Sequence, residues 1–150
     1  MIILDEHLQG LELEAAISRW YKGKVFNVKQ LRPETIIKDD AVPALLCRAR
    51  QPTFITINTS DFWRRILADN RYCIVCMPLS TEHALEIPAP LRRLFQLPGF
   101  RTKAQRMGKV ALVSQQQIQY YQSHDGRIYR INWPLGPTTS LRCGVDEGQN

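Results

Sequence analysis

The sequence predicts an α/β fold built on an open parallel sheet flanked by helices, with a small antiparallel β appendage at its C-terminal end. Two observations carry this. Over the first 79 residues, short β-branched runs alternate with segments whose apolar residues recur at helical spacing. Beyond Pro78 the pattern changes to short strands closed by a turn signal. Strands separated by helices imply βαβ units with right-handed crossovers, hence a parallel sheet.

Element by element, "IIL" (2–4) reads as a short buried strand, and Leu8, Leu11, Leu13, Ala16, Ile17 and Trp20 then recur as one helix face. "KVFNV" (24–28) is a second strand after the break at Gly23, and "KQLRPETIIK" (29–38) a loop. Asp39 or Asp40 opens a helix carrying Val42, Leu45, Leu46 and Ala49, with Pro43 tolerable only in its first turn. "TFITI" (53–57) is a third strand, Phe62 to Leu67 a short helix and "RYCIVCMP" (71–78) a fourth strand. "APLRRLFQLPG" (89–99) has proline at its start and Pro-Gly at its end, the punctuation of a short helix. "KVALVS", "QIQYYQ" and "RIYRINW" complete the strands, the last two joined at "SHDG". One domain over residues 1–133 is expected, with an α/β core to residue 80, a helix-plus-strand extension from 81 to 133, and a flexible tail from 134 to 150.

With 150 residues, 44% hydrophobic and 23% charged, the chain has the composition of a globular domain with a sizeable core. No apolar run approaches the roughly 20 residues that span a bilayer, and the opening run is too short for a secretory signal. A cytoplasmic location and no membrane partner are the expectation. The four cysteines then read as buried thiols: alternation along "YCIVCMP" sends Cys73 and Cys76 to opposite faces, and no second pair completes a zinc site. Ser123, His124 and Asp125 are neighbours in a turn, not a triad. The net charge is +6, and no acid falls between Ile87 and His124. Arg92, Arg93, Arg101, Lys103 and Arg106 lie in that segment and are candidate contacts to a phosphate backbone.

Acids mark the strand ends. In an open parallel sheet, ligands bind beyond the carboxyl ends of the strands, near the topological switch point. Asp5 ends the first strand, Asp61 follows the third, and Asp39 and Asp40 open the helix after the second. Two carboxylates about 4–5 Å apart repel by roughly 3–4 kcal/mol at an effective dielectric near 20. A hard divalent ion relieves that repulsion, and all-oxygen ligation suits Mg²⁺ or Mn²⁺. The plain alternative is that Asp39, Asp40 and Asp61 (or Ser60 beside it) are helix caps.

These residues resemble the short PIN-like proteins, a toxin-type nuclease group related to the VapC-like ribonucleases. "ILDEHL" resembles the family's "LLDENL" opening, "DDAVPALLCRA" its acid-led helix, and "FITINTSDFW" its T-x-D-x-D-F signature. The resemblance covers roughly residues 1–80. It implies a PIN-like fold and a metal-dependent endoribonuclease hydrolysing RNA phosphodiesters. Asp5, Asp39 or Asp40, and Asp61 would be the catalytic acids, with Asp5, Asp39 and Asp61 on the Mg²⁺ or Mn²⁺ ion. RNA is the implied substrate, and a small antitoxin protein the implied partner if the chain is the toxin of a toxin–antitoxin pair; a homodimer stays open. Thr59 stands where the signature has its first acid, Ile57 where it has threonine, and His7 replaces an asparagine. A non-catalytic PIN-like module that binds nucleic acid or a protein partner is the alternative.

Overall fold

The structure is a computed structural model that describes residues 1–8, 10, 12–31 and 38–134. The predicted helix residue Leu11, most of the 29–38 loop, the tail after Pro134 and Cys143 lie outside the described residues. One seven-stranded sheet in the order β2-β1-β3-β4-β5-β6-β7 organises the chain. Its strands are β1 (Ile2–Leu4), β2 (Val25–Asn27), β3 (Thr53–Thr56), β4 (Cys73–Cys76), β5 (Lys109–Val113), β6 (Gln117–Gln122) and β7 (Asp125–Asn132). All seven fall within or beside the runs read from sequence.

The parallel part is larger than expected. β5 pairs parallel with β4, Val75 opposite Ala111, so it is a fifth parallel strand and not part of the appendage. Only β6 and β7 are antiparallel, and they continue the same sheet. The β6–β7 turn is tighter than "SHDG": Ser123 and His124 alone separate the strands, and His124 takes the left-handed conformation at φ 75°.

Helices are short: α1 (Leu13–Ser18), α2 (Val42–Leu46), α3 (Thr59–Phe62), α4 (Pro88–Leu94) and α5 (Lys103–Arg106). The helix expected from Phe62 begins three residues earlier, at Thr59, and Arg64 then turns left-handed (φ 61°), which ends it. α5 was not expected; Thr102 and Gln105 cap it reciprocally, side chain to backbone in both directions.

Period-two alternation gives the sheet two cores. Ile2, Leu4, Cys73, Val75, Ala111 and Val113 pack against α1 and α4 on one face. Ile3, Phe54, Ile74, Cys76 and Val110 pack against α2 and Phe62 on the other. Cys73 and Cys76 therefore do point oppositely, and burial pushes the Cys73 thiol up to about 12. The same face assignment fixes the crossovers. Those from β1 to β2, β2 to β3 and β3 to β4 share one hand. The β4–β5 connection steps away from β1 as β3–β4 does, yet its helix α4 lies on the α1 face. It has the opposite hand to those three, and it lies outside the first 79 residues for which right-handed crossovers are expected.

The result for the site is simple. The chain leaves β1 toward β2 on one side and the rest of the sheet grows on the other, so the topological switch point lies between β1 and β3.

Candidate functional site

At that switch point stands Asp5, the first residue past β1, only 2% exposed. Its backbone is fixed on both sides. The N–H of Asp5 donates to the Ile55 carbonyl (2.9 Å), and its own carbonyl accepts from the Asn27 amide (3.0 Å) and from the Leu8 N–H (2.9 Å). Alternation from Ile2 sends the side chain to the α2 face, where Thr56 sits one strand away, and the Thr56 hydroxyl donates to Asp5 Oδ2 at 2.6 Å. Burial pushes this carboxyl above its usual range, with the Thr56 bond opposing. Neighbouring Glu6 reaches toward Lys29 (3.9 Å).

Thr56 passes the connection on. Its oxygen accepts from the Asn58 backbone N–H (3.0 Å), and the Asn58 side-chain amide donates to both Asp39 Oδ2 (2.9 Å) and Asp61 Oδ2 (2.8 Å). A continuous hydrogen-bonded path thus joins all three acids: Asp5, Thr56, Asn58, then Asp39 and Asp61. Asp39 is pushed up to about 6, by burial first, then by the side chain of Asp61 and the charges of Asp5 and Asp61. Asp61 moves the other way, held below the usual carboxylate range by the Asn58 amide and by Asp39. The two carboxyls behave as a pair in which Asp39 takes the proton and Asp61 keeps the charge.

Capping does not account for them. The residue before the 3₁₀ turn at Asp39–Ala41 is Lys38, and neither that turn nor α3 has a side-chain cap hydrogen bond. Asp39 and Asp61 instead spend their oxygens on Asn58. Asp40 is exposed beside them. Asp39, Asp40 and Asp61 line an open cavity of about 420 Å³ together with Arg65 and Ile66. Among the described residues, no three His, Cys, Asp or Glu side chains converge closely enough to ligate one ion. The arrangement is a pair of carboxyls at the mouth with a third carboxyl behind them.

Thr56, Asn58 and Arg65 are the members that sequence reasoning missed. Asn58 sat in view inside "TINTSD", but as one of several small polar residues at a strand end. Its role depends on where Asp39 arrives from 19 positions away.

The basic segment divides. Arg93 is exposed on α4 with its guanidinium 4.4 Å over the Trp133 ring, at the same sheet edge as the acids. Arg92 is exposed beside it. Arg101 and Lys103 are exposed but stand at the opposite edge, where β3 and β5 begin. Arg106 corrects the expectation outright. It is 3% exposed, lies 3.9 Å over the Phe95 ring, and donates to Thr53 Oγ1 (3.2 Å) and the Phe100 carbonyl (2.9 Å). An Arg stem buries well in apolar surroundings, and here the head group is buried too, so it has no reach to a surface phosphate.

Among the described residues no helix is long and apolar enough to cross a membrane. Comparisons with protein-family models, with curated proteins and with solved structures find no match to this chain, so the functional reading rests on its own residues.

Proposed function

We propose that this chain is a metal-dependent endoribonuclease of PIN-like type that hydrolyses RNA phosphodiesters at the cavity formed by Asp39, Asp40, Asp61 and Arg65, with Asp5 behind it. The observation that carries the reading is the Asp39–Asp61 pair, two carboxyls at an open mouth that share one amide and one of which is pushed up to about 6. Such a pair is unfavourable as it stands and is relieved by positive charge. The order of the acids along the chain, and their likeness to the short PIN-like pattern, support the same reading.

The donor set fits a hydrated hard cation. Mg²⁺ keeps several waters and is commonly held by one or two carboxylates plus substrate phosphate. Asp39 and Asp61 would hold the ion, once the Asn58 amide turns aside, with Asp5 adding charge from behind. When bound, Mg²⁺ or Mn²⁺ would polarise the phosphodiester and lower the pKa of an attacking water. The chain's own residues do the rest. Arg65 brings a cation to the acidic mouth for a phosphate oxygen, and its charge already acts on Asp61. Without the ion, Asp39 is pushed up to about 6, so binding the ion would release its proton and should strengthen as pH rises through that value.

A second reading has its own observation. Thr56 satisfies Asp5, and Asn58 bridges the other two acids without any ion. A non-catalytic module binding RNA at the same edge would look like this. RNA cleavage separates the two: wild type with and without Mn²⁺, against Asp5→Asn and Asp61→Asn. The nuclease reading expects Mn²⁺-dependent cleavage that falls on the order of 10²-fold or more in each variant. Equal cleavage by all three proteins, or none by any, sinks it.

A further inference from the structure

We infer that the cavity between α4 and the ends of β4 and β5 is a nucleobase subsite, taking one unstacked base of a single-stranded RNA whose backbone crosses the sheet edge to the acids. This deepens the nuclease reading and rests on it for the identity of the polymer. The cavity measures about 490 Å³ and opens at the carboxyl ends of β4 and β5, with Met77 and Val113 in its walls. That is within the range of small-ligand pockets.

Its polar groups are those that recognise bases. Trp133 leaves the end of β7, and its indole N–H is already satisfied by the Ser114 carbonyl at 2.7 Å, which pins the ring against the end of β5. Arg93 lies over that ring and donates to the Pro134 carbonyl (3.4 Å). An indole with a stacked guanidinium is a platform for an aromatic base, and such stacking tolerates any base. The exposed side chains of Gln115 and Gln116 line the rim, and carboxamides pair with the donor–acceptor edges of bases.

The cavity carries both signs of charge, with Glu86 and Arg93 both in its lining. His83 Nδ1 lies 2.6 Å from Glu86. The Glu86 carboxylate offsets the Arg93 charge and can accept from the exocyclic amino group of a base, which favours a base over a phosphate inside the cavity. The distance suits a short step of polymer. Strands lie about 4.8 Å apart, so the cavity at β4 and β5 is roughly 5–10 Å across the sheet from β3. The acids face the α2 side and the cavity faces the α4 side, so the strand must pass over the strand ends. A stacked duplex cannot place a base there; a single strand can.

The test is binding of short single-stranded RNA homopolymers to the full chain in EDTA, where no metal-dependent cleavage runs, followed by cleavage in Mn²⁺. Ala89→Trp fills the cavity from an exposed position on α4, and Trp133→Leu removes the platform. RNA affinity is expected to fall on the order of tenfold to a hundredfold in each, with an unchanged salt slope because no phosphate contact is lost. Circular dichroism and melting curves establish that the variants are folded. Wild-type affinity in a folded Ala89→Trp overturns the subsite, as does a wild type that binds no single-stranded RNA or prefers duplex. The two proposals fail separately. Cavity-dependent binding without any cleavage leaves the subsite and removes the nuclease; cleavage indifferent to Ala89→Trp does the reverse.

Discussion

The two edges of the sheet treat charge in opposite ways. At the edge where β3 and β5 begin, Arg106 is buried, and its guanidinium meets a ring, a hydroxyl and two carbonyls. Burial also pushes it below its ordinary value, and among the described residues no carboxylate pairs with it. At the edge where β1 and β3 end, three acids are gathered by a hydroxyl and one amide, and two of them open onto a cavity. The first arrangement closes a gap inside the fold. The second leaves a like-charge pair with only two N–H groups between its members. A charge that the fold satisfies fully is structural; charges that the fold brings together and leaves under-compensated mark the place to look for chemistry.

The sharpest way to break this contrast is Arg106→Ala. It removes a buried side chain and leaves the Phe100 carbonyl and Thr53 hydroxyl short of a donor. A loss of about 2–4 kcal/mol in denaturant melts is expected, with RNA affinity per folded molecule unchanged. A folded, fully stable variant that no longer binds RNA would reverse the assignment of this edge.

Asn58→Ala acts on the other edge. Removing the shared amide leaves Asp39 and Asp61 to repel, so the protein is expected to lose about 1–2 kcal/mol near neutral pH. Mn²⁺ should then raise its melting temperature more than it raises that of wild type, because the ion replaces the lost donors. An identical Mn²⁺ shift in both proteins would mean that no ion enters between these acids. Thr59→Asp tests the same point by addition: an extra carboxylate at the α3 start is expected to tighten Mn²⁺ binding in calorimetry.

A smaller effect has a definite sign. Burial, with Asp61 beside it, pushes Asp39 up to about 6 in the native protein, against 3.8 ordinarily. Below about pH 3 it is protonated folded or unfolded and contributes nothing. As pH rises to 6, the unfolded chain releases a proton that the native state keeps, and stability falls by this group's share. Above about pH 7 the penalty is complete. Asp39→Asn should therefore stabilise the protein at pH 7 and leave it unchanged near pH 3, read as melting temperature across that range. A gain independent of pH would show that Asp39 is an ordinary carboxylate.

The smallest expected effect is the most discriminating for the basic segment. Arg101→Gln with Lys103→Gln removes two exposed cations from the edge away from the acids, and little change in RNA affinity is expected. Arg65→Gln and Arg93→Gln, on the acid edge, should each weaken binding, and Arg65→Gln should also reduce the salt slope by about one. If the first pair proves the stronger, RNA runs along the other edge.

The sequence by itself determined the strands, the alternation that splits the core into two faces, and the placement of acids just past strand ends. These are local properties: side-chain period, β-branched runs and turn residues report directly on neighbouring backbone. Tertiary structure alone decided three things. It joined β5 to the parallel sheet, because pairing partners are chosen by the path of the crossover and not by the strand's own residues. It buried Arg106, because a gap between Phe95, Phe100 and the start of β3 exists only once those elements meet. And it made Asn58 the bridge between Asp39 and Asp61, since a residue's partners across 19 positions follow from where the sheet order sets β1 and β3 side by side.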